Sequence, residues 1–555
     1  MTDIAEVFHQ NELFLTGANG FLGKVLLGTL LDRYPGFAHL HILVRPRRGL
    51  LACDRFFSEV LTSPPLAPIV EKIAAQRGKD FLRERITVWS GDVGEPNLGL
   101  EASALERLRG RVGAVINSAG LVEFFPPVDA SFRSNVDGVE HVVAFAKGAG
   151  AKLVHVSTCY VCGTRDGLVE ETEPILGFYP RRKGLEDTSF NHAEEIRYVR
   201  ALIRQIHDSS LRLRSLRPGS GPSAGSTTLT GAEARNGVAA SGAENGTSRE
   251  LAERLVTLGK HRAASWGWVN TYTYTKSLGE QIIAAAESLD YAIVRPAIVE
   301  SALRFPFPGW IEGGRTATPL VLMALDGMKE WPVREDTPLE VVPVDLVASA
   351  ILMVTALLLD SRSERLYQLG SADVNPIHLG PLVSLLSEQS RKREYNNHAR
   401  TAVPYVVRKL TGAPSDSRVR FVTAEELRPR RERLQKRIGR AEDILAATRR
   451  MLAVARLPGT SSLAGWSTAL RTLGLQASFR DQTLDQYLPF VLHYRYIFES
   501  ENIRAAFALI SENDRKLVPW DPERIEWKDY WINHQVRGIQ KWIQPEPARN
   551  RTVRV

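Results

Sequence analysis

Apolar and polar positions fall into two regimes along this chain. Short apolar, β-rich runs recur through the first three hundred residues. The opening "ELFLTGANGFLGKVLLGTLLDRYPGFAHLHILVRPRRG" (12–49) reads strand, glycine-rich turn, helix, strand. Further runs stand at "RITVWSGDV" (85–93), "AVINSAG" (114–120), "KLVHVSTCYV" (152–161) and "YAIVRPAIV" (291–299). Segments of helical period separate them, as where Leu278, Ile282, Ile283 and Ala286 follow Ser277. Alternation of this kind predicts an α/β fold, a Rossmann-type doubly wound parallel sheet with helices on both faces.

Two departures from that pattern mark the organisation. About residues 164–268 form a long excursion whose middle, 217–250, is rich in Gly, Ser, Ala and Thr and almost without large apolar residues. Such a stretch cannot bury enough surface to offset its ordering entropy, so disorder is expected over about 217–248. Its helix-like, charged flanks are expected to pack over the site as a lid. After residue 370 the period becomes mostly helical, broken at "TGAPSDS" and "ARLPGTSS". The reading is therefore a reductase-like domain at 1–375 and a mainly α-helical domain at 376–555.

Composition narrows the class. A 44% apolar and 24% charged content is that of an ordinary globular protein. The longest uncharged apolar run, "LVASAILMVTALLL" (346–359), has 14 residues, short of a bilayer span, and reads as a buried helix. The N-terminus shows no cationic start before an apolar run, so no signal peptide is expected. Three cysteines make no disulfide framework and fit a reducing cytoplasm. The net charge of +8 is concentrated in 428–456, with ten Arg or Lys against three acids. That stretch reads first as a solvated helix face. Its second reading is a contact for phosphates, of a ligand or of lipid headgroups at a peripheral membrane contact. No zinc-knuckle, homeodomain-like or RNP signature accompanies it, which disfavours nucleic acid.

The chemistry centres on two motifs. "TGANGFLG" places Gly17, Gly20 and Gly23 at the first strand-to-helix turn. Glycines there let a pyrophosphate approach the backbone at the helix N-terminus, with Asn19, Phe21 and Leu22 in the same cradle. Arg45 ends the second strand where an NAD-specific enzyme usually carries an acid. With Arg48 nearby it suits a 2′-phosphate, so the expected cofactor is NADPH. Asp92 and Val93 are expected to border the adenine. Asn117, Ser118, Ala119 and Gly120 should run along the cofactor's middle, with Pro296 and Ile298 also among its contacts.

The second motif is "NTYTYTKSLGEQ", in which Tyr272 and Lys276 stand four apart on one helical face. An ammonium and a nicotinamide ring would bring the phenol's pKa down toward working range, and the lysine could hold the nicotinamide ribose. Thr158, after the fifth strand, supplies a second donor to a carbonyl oxygen that gains charge during hydride attack. Cys159 and Cys162 lie on a segment read as extended, where i and i+3 diverge, and no second pair completes a zinc site. No metal is expected.

These residues match the extended short-chain dehydrogenase/reductase pattern, and more finely the chain resembles the alcohol-forming fatty acyl-CoA reductases with a C-terminal sterile domain. "TGANGFLGKVLL", "INSAGLVEF", "VSTCYVCG", "WGWVNTYTYTKSLGEQ", "IVRPAIVESALRFPFPGWIEG", "VVPVDLVASAI" and "YQLGSADVNPI" look like that family's landmarks in order. "YRYIFESENIRAAF" and "ERIEWKDYWINHQVRGIQKWI" resemble its tail. The resemblance implies NADPH-dependent reduction of a long-chain acyl-CoA, through the aldehyde, to a primary alcohol, with Thr158, Tyr272 and Lys276 catalytic. Lacking a C-terminal membrane segment, the chain looks like the soluble bacterial members. Trp310 and Phe307 read equally as acyl-tunnel lining or as core aromatics. The rivals are a two-electron reductase stopping at the aldehyde or taking acyl-carrier protein, a sugar-nucleotide epimerase or dehydratase, and a non-catalytic NADP-binding scaffold.

Overall fold

The computed structural model describes residues 1–47, 49–184, 186–215, 242–397, 419–454 and 460–544. Arg48 and residues 217–241 of the insert therefore lie outside the described residues, as do most of the two Pro-Gly interruptions; 242–248, where disorder is expected, are instead the start of a helix (Gly242–Trp266).

Seven parallel strands form the central sheet: β1 (Glu12–Thr16), β2 (Leu40–Val44), β3 (Ile86–Ser90), β4 (Val112–Asn117), β5 (Lys152–Val156), β6 (Tyr291–Pro296) and β7 (Leu366–Leu369). Their order is β7-β6-β5-β4-β1-β2-β3, with the reversal between β1 and β4. Strands β2 and β6 are buried at every residue. Burial on both faces is what their unbroken apolar runs require in a parallel sheet. The seventh strand, "LYQL", is too short to stand out by period.

Helix α1 (Phe21–Arg33) follows β1, α2 (Gly138–Ala149) precedes β5, and α3 (His192–Ser215) and α4 (Gly242–Trp266) flank the insert. Helix α5 (Thr271–Ala284) carries the Tyr-Lys motif, and α6 (Val344–Leu359) holds the longest apolar run. Every residue of α6 from Val344 to Leu358 is buried. It packs against α1, β5 and β6. At about 1.5–3 kcal/mol per large buried aliphatic side chain, this helix is a principal source of the fold's stability. Among the described residues no helix is long and apolar enough to cross a membrane.

The chain forms two compact units that are not contiguous in sequence. The first comprises Met1–Glu312, Val341–Asn375 and Phe498–Ile525; the second comprises Gly313–Glu340, Pro376–Ile497 and Glu526–Val555. The sequence reading instead drew one cut at 375/376, because the tail's helical period does not reveal which surface it covers. Within the first unit, 498–525 is sewn to the sheet edge. Ser500 Oγ accepts the Gly370 N–H at 2.8 Å, and Asn502 Nδ2 donates to the Leu366 carbonyl at 3.0 Å. Buried Asp514 accepts from the Tyr34 hydroxyl and the Ile4 N–H, each at 3.0 Å.

In the second unit, α7 (Leu379–Asn397) precedes a long helical hairpin, α8 (Ala424–Val454) and α9 (Thr460–Leu488). Arg431 ties the hairpin together, reaching Asp481 at 3.2 Å and Asp485 at 2.9 Å. Arg430 pairs with Glu330. Two arginines of the basic stretch thus already have carboxylate partners.

Candidate active site

The site is built from the glycine turn outward. Gly17 has φ +76°, and a Cβ there would fall 2.7 Å from the Ser118 carbonyl carbon. At Gly23 a Cβ would lie 2.0 Å from the Gly17 oxygen. Both positions exclude side chains, so the turn stays flat against the β4 turn. Gly20 caps α1 with no side-chain hydrogen bond and is exposed. Beside it Phe21 and Leu22 are partly exposed, leaving the positive end of the helix open to an anion. A phosphate-bearing dinucleotide fits this donor set. Lys24 is engaged by Glu312 at 2.6 Å.

Arg45 stands exposed just after β2. Beside it Arg47, which the sequence reading passed over, is also exposed and sits 3.7 Å from Glu59. Asp92 follows β3, accepting the Gly94 N–H at 3.0 Å and pairing with Arg133 at 3.2 Å. Val93 is a core residue, and its carbonyl meets His141 Nδ1 at 3.0 Å. Ser118 and Ala119 are partly exposed and Gly120 exposed, whereas Asn117 is buried with its carboxamide turned into the sheet. Pro296 closes β6, and Ile298 lies in a short strand (Ile298–Glu300) that pairs with Val341–Pro343.

Asn270 starts helix α5 by accepting the Thr273 N–H at 2.8 Å. That cap fixes Tyr272 in the first turn and Lys276 one turn on. The Thr158 hydroxyl accepts the Tyr160 N–H at 3.3 Å and stands close enough to the Tyr272 phenol to stabilise its anion. Lys276 Nζ donates to the Val156 carbonyl at 2.6 Å, and a Cβ on Gly120 would lie 3.8 Å from it. Threonine, tyrosine, lysine and the β4 turn therefore meet at the carboxyl ends of β4 and β5, next to the glycine turn.

The electrostatics differ from the sequence expectation. Burial pushes the Tyr272 phenol above its ordinary value, partly offset by Thr158. The Lys276 amine is directed at the Val156 carbonyl. Burial lowers Lys276 to about 8, with Glu280 working the other way. Glu280, one turn further along α5, makes a bidentate pair with Arg295 at 2.9 and 2.6 Å. Both side chains are buried.

Several positioning residues escaped the sequence reading. Asn135 clamps the β4 turn, with Oδ1 accepting the Leu121 N–H at 2.9 Å and Nδ2 donating to the Leu121 carbonyl at 3.0 Å. Its Nδ2 also reaches Thr275 Oγ1 at 3.2 Å, joining that turn to α5. Asp345 accepts three N–H groups from Leu303, Arg304 and Phe305, fixing the loop that leads to Trp310. Trp310 is buried edge-on to Phe307 at 5.8 Å, which makes it a loop anchor, while Phe307 is partly exposed. The flanks of the insert form a fixed wall. Glu195 of α3 holds Arg262 of α4 through two bonds (2.9 and 2.5 Å) and accepts the Tyr274 hydroxyl of α5.

Cys159–Cys162 is a 3₁₀ turn, where the sequence suggested extended chain. Both cysteines are buried and outside any disulfide; Cys159 donates to the Arg295 carbonyl, and burial pushes Cys162 up to about 12, so Cys162 is not poised as a thiolate.

A sheet of this order, opened by this turn, puts the chain among the extended short-chain dehydrogenases/reductases, which bind a nicotinamide dinucleotide. Comparison with known proteins narrows the class. The NAD-binding family model described as male sterility protein matches residues 15–351. The chain is 27% identical over 544 residues to fatty acyl-CoA reductase 8 of Arabidopsis thaliana, covering 96% of this chain and 97% of that one. It is 24% identical to the alcohol-forming fatty acyl-CoA reductase of Simmondsia chinensis, covering 98% and 99%. The reductase domain of a nonribosomal peptide synthetase from Mycobacterium tuberculosis is 18% identical with a TM-score of 0.49, covering 96% and 92%. The chain belongs to the fatty acyl-CoA reductase family and is an NAD(P)-dependent oxidoreductase.

Proposed function

We propose that this protein uses NADPH to reduce the thioester carbonyl of a long-chain acyl-CoA, first to the aldehyde and then to the primary alcohol. The observation that carries this reading is the convergence of Thr158, Tyr272 and Lys276 beside the β4 turn. The cofactor supplies a hydride in each of two rounds; the remaining work falls to side chains. Thr158 and Tyr272 donate hydrogen bonds to the substrate oxygen as it gains charge, and Tyr272 delivers a proton to it in the second round. The first round expels the CoA thiol and the second leaves the alcohol, so one thioester consumes two NADPH and two protons. Lys276, Asn19, Phe21, Leu22 and the 117–120 turn hold the dinucleotide, with Pro296 and Ile298 at its nicotinamide end. Arg45 at the end of β2 supports preference for a 2′-phosphate.

The second unit is assigned a share in binding acyl-CoA. Because Arg430 and Arg431 are paired within that unit, Arg433, Arg437 and Arg440, all exposed on α8, are the better candidates for phosphate contacts. The deciding experiment is chromatography of products from purified protein, excess NADPH and acyl-CoAs of graded chain length. Primary alcohol, absent with Tyr272→Phe, supports the reading; aldehyde alone would establish a two-electron enzyme. Full turnover by Tyr272→Phe would overturn the assignment of the tyrosine.

A further inference from the structure

Beneath the lysine runs a hydrogen-bond chain that the proposed reaction does not use. The Ala119 N–H donates to Thr16 Oγ1 at 3.2 Å, and the Thr16 hydroxyl lies 2.7 Å from Asn117 Oδ1. Asn117 Nδ2 is 3.0 Å from His155 Nδ1, and His155 Nε2 is 3.3 Å from Lys276 Nζ. Thr16, Asn117, His155 and Lys276 are all at most 5% exposed. The chain spans β1, β4, β5 and α5 in turn, connecting the strand before the glycine turn to the amine.

Its polarity has a consequence for that amine. Thr16 already accepts from Ala119, so its single proton goes to Asn117 Oδ1. The carboxamide then presents its NH₂ group to His155 Nδ1, which must accept. Burial, with Lys276 second, holds His155 well below its ordinary pKa, so the ring is neutral and carries one proton. That proton sits on Nε2, aimed at Lys276. An uncharged amine can accept it; an ammonium has no lone pair and cannot. Rotating the Asn117 carboxamide reverses every link, giving an Nδ1–H imidazole whose Nε2 accepts from the ammonium. In that state the NH₂ group faces Thr16, whose hydroxyl loses its acceptor.

We propose that His155 is a positioning residue for Lys276: it transmits the orientation of the Asn117 carboxamide to the amine, and so sets how readily the lysine takes up its proton. The proposal rests on the reading of Lys276 as the residue that grips the cofactor. The other groups about the amine do not supply this switch. Glu280 is neutralised by Arg295 from β6, Tyr272 stands beside Thr158, and Cys159 is bonded to the Arg295 carbonyl. Four carboxylates on elements packed against α5 are paired elsewhere: Glu195 with Arg262, Asp137 and Glu140 with Arg200, and Asp129 with His207.

The test is the dissociation constant of NADPH, measured by calorimetry on the full-length protein between pH 7 and 10. In the wild type, affinity falls as the ammonium is lost. Asn117→Asp replaces the donor at His155 Nδ1 with an acceptor, favouring the Nδ1–H ring and hence the ammonium. The midpoint of the affinity loss should rise by about one pH unit or more. In Asn117→Asp/His155→Phe that rise should vanish, since the relay is cut. A rise that survives in the double variant would show simple attraction by the new carboxylate and overturn the proposal, as would an unmoved midpoint in Asn117→Asp. Thr16→Val, which adds no charge and frees the carboxamide to turn, should shift the midpoint the same way by a smaller amount. It decides the matter alone if the aspartate variant fails to fold. Lys276→Met separates the two readings. Loss of the pH dependence there, with Asn117→Asp inert, sinks the His155 proposal alone; persistence of the pH dependence sinks the role of Lys276.

Discussion

Replacing Lys276 with methionine should make the folded protein more stable at neutral pH while removing its function. The amine is 4% exposed, and burial lowers its pKa from 10.5 to about 8. That difference of about 2.5 units corresponds to roughly 3.5 kcal/mol at about 1.4 kcal/mol per unit. The sign follows from proton binding. Below pH 8 both folded and unfolded chains hold the proton, and the folded state carries the full desolvation penalty. Between 8 and 10.5 only the unfolded chain binds it, so stability rises with pH until the penalty is gone. Methionine has similar volume and no charge, but it forfeits the hydrogen bond to Val156, worth about 1 kcal/mol. The variant should therefore gain about 2.5 kcal/mol at pH 7. Its advantage over the wild type should shrink by roughly 2.5 kcal/mol by pH 10. Urea unfolding of both proteins at the two pH values measures this directly, and comparing the difference across pH cancels the lost hydrogen bond. A stability difference that does not change with pH would refute the claim that a buried, titrating amine sits at this position.

Other expectations are separable. Gly23→Ala should abolish NADPH binding, because its Cβ would fall 2.0 Å from the Gly17 oxygen; equilibrium binding that survives would contradict the tight turn. Glu280→Gln leaves the buried Arg295 without its counter-charge and should destabilise the fold by about 3–5 kcal/mol, read from the urea midpoint. Arg45→Glu should raise the KM for NADPH far more than that for NADH; equal changes would remove Arg45 from 2′-phosphate recognition.

The glycine turn and the Thr158, Tyr272, Lys276 set were legible because each depends on local spacing: a tight turn after a strand, and two residues one helical turn apart. So was the parallel sheet, whose inner strands are largely buried and read as apolar runs. Strand β7 was not, since four residues carry no usable period. Nor could spacing reveal where the lysine points. Its amine turns to Val156 because β5 presents a carbonyl there, a fact of tertiary packing. His155 and Asn135 were equally hidden, being ordinary polar residues until the strands and helices bring their partners close. The Cys159–Cys162 turn misled because a β-rich run continues past the strand's end at Val156.

The way residues 498–525 return to the sheet edge carries a practical lesson for anyone trimming this enzyme. A truncation after Asn375 would strip β7 of the Ser500 and Asn502 contacts and leave Tyr34 and Ile4 without Asp514. The catalytic half cannot be freed by a single scissor stroke. Dissecting it requires grafting that returning segment back on.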